Sequence, residues 1–149
     1  MSVQKPSSTP PDELMALPMV RALLRELLFK LSVQADEGRA DHIDLRRLPL
    51  PVGALDALKT WLGRGEIEAT VSALGITTIQ ETGVAGVWWV RHAKIGGETT
   101  GEHLEITPCP ALLAADQGEI GSALEALRGR LMTLETSRGA DSSPSANSR

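Results

Sequence analysis

The chain has 149 residues, 42% of them hydrophobic and 23% charged, with a net charge of −4 and only 3% aromatic residues. That balance predicts one domain with an aliphatic core, and it carries no basic footprint for nucleic acid or an anionic membrane surface. A lone cysteine excludes an internal disulfide and a cysteine-ligated zinc or iron–sulfur site, and the absence of a signal-type amino terminus or a bilayer-length apolar run points to a cytoplasmic chain.

Residues 1–11 are polar and proline-rich, and 137–149 are small and polar, so both ends are expected to be disordered. Between them, 12–136 reads as one α+β domain. The first helix is expected over about 18–36, with Val20, Leu23, Leu24, Leu27, Leu28 and Leu31 on one face. Pro18 suits its first turn and Gly38 its end; an irregular helical turn is expected before it. A short strand over 42–47 follows, halted by Leu48-Pro49-Leu50-Pro51. Ala54, Leu55, Leu58, Trp61 and Leu62 then mark a short amphipathic helix closed by Gly63.

From Glu66 the pattern changes to alternation. Strands are expected at 66–73, 76–82, 86–93 and 102–107, separated by glycine-bearing turns. A last helix, about 116–136, aligns Ile120, Leu124, Leu127, Leu131 and Leu134. The fold class is therefore α+β, a small, mainly antiparallel sheet packed with about three helices.

Trp88 and Trp89 are adjacent on a strand, so their rings point to opposite faces. If Thr82 faces Gly86 and Ala93 faces Glu102, then Val87 and Trp89 share an aliphatic face with Ile79, Leu104 and Ile106. Trp88 then shares a polar face with Thr78, Gln80, His92, His103, Glu105 and Thr107. This register makes Trp89 core and sets Trp88 apart from it, as an exposed contact residue or one that the first or the last helix covers.

The ordered set Ile43-Asp44-Leu45-Arg46, Leu62-Gly63-Arg64-Gly65-Glu66, Gly75 to Thr82, Gly86-Val87-Trp88-Trp89-Val90 and Leu104 to Pro108 resembles the HupH/HyaF-type hydrogenase expression proteins, accessory factors of nickel–iron hydrogenase maturation. The likeness covers roughly residues 41–116, and the chain looks like a short version of the family with one conserved domain. The resemblance implies a non-catalytic accessory protein without a cofactor. It implies binding of an immature hydrogenase subunit or another maturation protein, and a homodimer is compatible with it.

The residues expected to bind the partner are Trp88, His92, His103 and Glu105. The family-motif residues, in structural or contact roles, are Gly63, Gly65, Glu66, Glu81, Thr82, Gly86 and Trp89. Glu81 falls on the aliphatic face in this register and needs a cation, with Arg46, Arg64 and Arg91 the candidates. No catalytic residue and no metal ligand is assigned, since nothing assembles a nucleophile, base and oxyanion site. A second reading is a metal- or cluster-handling carrier using His92 and His103, with Cys109; a third is a generic protein-interaction module.

Overall fold

The structure, a computed structural model, describes residues 9–140. The expectations for 1–8 and 141–149 lie outside the described residues. Two helices open the described chain: α1, Pro11–Ala16, and α2, Pro18–Glu37. The first is a regular short helix where an irregular turn was expected, so the described chain has four α-helices instead of about three. In α2, Val20, Leu23 and Leu27 recur at three- and four-residue steps and are buried. Gly38 ends it with φ of 68°, a left-handed conformation that glycine adopts freely, and its N–H bonds back to the Gln34 carbonyl.

Strand β1, Asp41–Asp44, and helix α3, Ala54–Leu62, come next. Four strands follow: β2, Arg64–Ser72; β3, Ile76–Thr82; β4, Val87–Ala93; and β5, Thr99–Ile106. All pair antiparallel in the order β1-β5-β4-β3-β2. The last four strands form a meander, and β1 adds to its β5 edge. Because β1 and β2 occupy opposite edges, the connection through α3 must cross the sheet. That crossing carries Leu58 and Leu62 onto the core. There they join Leu23 and Leu27 of α2 and Ile43, Val87, Trp89, Leu104 and Ile106 of the sheet. A smaller cluster, Leu14, Val20, Ala54 and Ala57, fastens the three helices to one another.

The expected register is corrected on two strands. Glu81 pairs with Trp88 and Ile79 with Val90, one residue from expectation, while Trp88 pairs with Glu105, a shift of two. A two-residue shift preserves faces and a one-residue shift exchanges them. Val87, Trp89, Leu104 and Ile106 therefore do share the helix-covered face. Ile79 and Glu81 instead fall with Trp88 and Val90, and Thr78 and Gln80 change places with them.

The cause is the loop between β3 and β4, which holds four residues, 83–86, in place of three. Thr82 sets it: its Oγ1 accepts from the Val84 N–H at 3.1 Å and donates to the Val87 carbonyl at 2.8 Å. Its other end is Gly86, with φ of 83°.

Trp88 is the second correction. It is 4% exposed, against 2% for Trp89, so both rings are buried. The second sheet face is not a polar surface carrying a lone indole, because Ile79 and Val90 are buried on it too. The Trp88 Nε1 donates to the Thr107 carbonyl at 2.9 Å, tying the ring to the segment that follows β5. Other apolar expectations fail in the other direction: Leu28 is 68% exposed, Trp61 60% and Ile67 49%.

This α+β unit extends to Pro110, and residues from Ala111 form a second compact unit. The second unit contains a 3-10 turn, Ala111–Leu113, and helix α4, Gln117–Ala140. The helix runs through 137–140, four residues expected in a disordered tail. Asp116 and Glu119 cap its start reciprocally, each side chain accepting the other's backbone N–H at 2.8 Å.

A charged recess bordered by the motif residues

The motif residues gather where α3 ends, β2 begins and β3 turns into β4. Gly63 closes α3 with φ of 77°, its N–H bonded to the Lys59 carbonyl. Immediately beside it the Gly83 N–H donates to the Leu62 carbonyl at 3.1 Å. A side chain at Gly83 would place its Cβ 2.7 Å from that same oxygen, so the β3–β4 loop can meet the helix end only as glycine. Gly65 answers a similar demand one strand over. A Cβ there would lie 2.6 Å from Cγ of Glu81.

Glu81 occupies that space because β2 is bulged. Its pairing with β3 shifts between Arg64 and Glu68, which frees two backbone donors from the ladder. The Glu81 carboxylate accepts both, from Glu66 N at 3.0 Å and Ile67 N at 3.3 Å. The expected arginine partner is thereby corrected: backbone amides serve in its place, as they serve an anion in any cluster of free N–H groups. Arg64 pairs with Glu68 instead, and Arg46 donates to the Thr99 carbonyl. Arg91 donates to Thr99 Oγ1 at 2.8 Å. Glu66 itself contributes its N–H, not its exposed side chain.

Around this framework opens a recess of about 410 Å³, lined by Asp56, Lys59, Arg64, Gln80, Glu81 and Trp89 with Thr60, Gly63 and Thr82. Lys59 Nζ stands 5.4 Å from the Trp89 ring centroid, a cation–π contact. The Nε1 of the same ring donates to Glu102 Oε1 at 2.7 Å. Trp89 thus joins the core beneath to the charged surface above.

Of the four residues expected to contact a partner, His92, His103 and Glu105 lie together on the second sheet face, half-buried. The imidazoles of His92 and His103 stack with centroids 5.5 Å apart, although the register makes them diagonal neighbours and not direct partners. His42 meets His103 edge-on at 6.2 Å. Its position opposite Glu105 on β1 puts it there.

His92 Nδ1 is 2.7 Å from Thr77 Oγ1, and His103 Nε2 is 3.3 Å from Glu105 Oε1. Among the described residues, no group of three or more His, Cys, Asp or Glu side chains is arranged to hold a metal ion. Cys109 is exposed, its Sγ 3.8 Å from the Pro110 carbonyl and its own carbonyl accepting from Thr107 Oγ1 at 3.1 Å.

The fold and the recess define a small α+β domain with helices on one sheet face and a charged surface hollow at the end of α3. The chain belongs to the HupH hydrogenase expression protein family: the family profile described as "HupH hydrogenase expression protein, C-terminal conserved region" matches residues 18–134. It is 36% identical over 110 residues to the hydrogenase expression/formation protein HupQ of Azotobacter chroococcum mcd 1. It is 34% identical over a like span to HoxQ of Azotobacter vinelandii, also titled a hydrogenase expression/formation protein. Each match covers 74% of this chain and 38% of the relative, so the chain spans well under half the length of either. Among solved structures it resembles the hydrogenase expression protein HupH from Thiobacillus denitrificans ATCC 25259, with a TM-score of 0.72 and 34% identity. That likeness covers 76% of this chain and 94% of the other. Within the described residues, no helix is long and apolar enough to cross a membrane.

Proposed function

We propose that this chain is a non-catalytic accessory protein of hydrogenase maturation, acting in the cytoplasm, and that its charged recess docks an immature hydrogenase subunit or another maturation protein. Support for the maturation role comes from the family. Support for the surface comes from one observation: Gly63, Arg64, Glu81, Thr82 and Trp89, far apart in sequence, border a single hollow. Glycines and hydrogen bonds shape that hollow, but its cationic rim of Lys59 and Arg64 has no part in the buried core. A rim of fixed charge over a closed core suits an acidic or polar segment of a client, with the cations supplying orientation.

The lining offers no histidine or cysteine, and the Thr82 hydroxyl is already engaged in its loop. A carrier role for His92 and His103 has less support, since each ring is already held to a neighbouring side chain.

Co-purification from cells that express the cognate hydrogenase subunits tests the surface. Lys59→Glu with Arg64→Glu should lower client recovery about tenfold or more while the folded signal by circular dichroism is retained. Normal recovery with that variant, together with loss of recovery on His92→Ala and His103→Ala, would move the contact to the second sheet face.

A further inference from the structure

Helix α4 has 24 residues, and among the described residues none of them is buried. Four glycines lower its intrinsic stability, and helices in proteins are held mostly by packing of an apolar face, so it calls for a partner surface. Its apolar side chains have a defined order. Ile120, Leu124, Leu127, Leu131 and Leu134 follow one another at steps of four, three, four and three, and all are 48–67% exposed. That is the 3.5-residue period of a coiled-coil seam, with Leu124 and Leu131 at a positions and Ile120, Leu127 and Leu134 at d positions. The glycines at 118, 121, 129 and 139 all fall off the seam.

The flanking charges choose the arrangement. In the same frame Arg130 is a g residue and Glu135 is the e residue five positions on. Five positions apart on one helix they stand on opposite flanks of the seam, and neither has a partner among the described residues. In a parallel, in-register pair the g residue of one helix faces the following e residue of the other. Arg130 then meets Glu135 of a second copy, and the two-fold axis makes that contact twice. An antiparallel pair with Leu131 facing Leu127 instead sets Arg128 against Arg128 and Arg130 against Arg130, two repulsive contacts.

We propose that α4 is a self-association element, pairing with α4 of a second copy of this chain as a short parallel coiled coil. Two heptads of seam make the association weak and reversible. The proposal does not depend on the reading of the recess.

Sedimentation equilibrium of the full chain across the micromolar range tests it, with a reversible monomer–dimer equilibrium as the expected result. Leu127→Asp should abolish the dimer. Arg130→Glu should weaken it about tenfold, and Arg130→Glu combined with Glu135→Arg should restore it, because the swap recreates the pair in reverse. Restoration also shows that lost helix content is not the cause. A chain that stays monomeric throughout, or a dimer indifferent to both Leu127→Asp and Arg130→Glu, overturns the proposal.

Discussion

Two adjacent tryptophans set the chemistry of this sheet at the scale of single residues. Trp89 is anchored by Glu102 and capped by Lys59, and Trp88 is anchored by the Thr107 carbonyl. Since both rings are buried, Trp88→Ala and Trp89→Ala should each cost about 3–5 kcal/mol, the range for truncating a large buried aromatic. Urea denaturation of the two variants checks this; a Trp88→Ala protein as stable as the parent would place that ring outside the core.

Asp41 supplies a second residue-scale prediction. The Lys30 ammonium, 2.7 Å away, and then the His42 backbone N–H hold its carboxyl below its ordinary value of 3.8. A carboxyl depressed in the folded state stabilises above the unfolded value, and the benefit disappears as pH falls through the lowered one. Asp41→Asn should therefore reduce the thermal midpoint slightly at neutral pH. The gap from the parent should close in acid below 3.8. The pair is half exposed, so the effect is small.

The informative element is the bulge of β2. A carboxylate on β3 satisfies two backbone donors that the bulge releases, and Gly65 leaves the space for it. Glu81→Ala leaves both exposed N–H groups to water, so it should destabilise by about 0.5–1.5 kcal/mol, the net worth of a hydrogen bond. Gly65→Ala should do the same by displacing the carboxylate. The amides of Glu66 and Ile67 should then lose hydrogen-exchange protection ahead of the rest of β2. Unchanged protection at those two amides in either variant would mean the bulge is held by something other than Glu81.

On the scale of the whole molecule, a net charge of −4 gives no long-range attraction for an acidic client. Local charge in the recess decides instead. Lys59, Arg64 and Asp56 lie near the surface, where salt screens over about 8–10 Å. Client binding should accordingly weaken as ionic strength rises, chiefly through the association rate. Surface plasmon resonance with a purified hydrogenase subunit would show it, and salt-independent binding would point to an apolar contact such as the one first expected at Trp88.

The sequence by itself determined most of the elements, with α1 read only as an irregular turn. Three- and four-residue periodicity located α2, α3 and α4, strict alternation with glycine breaks located the strands, and β3 was placed at its observed bounds. The ordered motifs also determined the family. Tertiary structure alone decided how the strands meet. Local periodicity is blind to a single added loop residue, and the Thr82 hydroxyl added one, exchanging the faces of Ile79, Gln80 and Glu81. The same blindness hid the role of Glu81, because its partners are backbone amides that only a bulge sets free. It hid the recess as well, since Lys59 and Trp89 meet only after α3 has crossed the sheet between two distant edges.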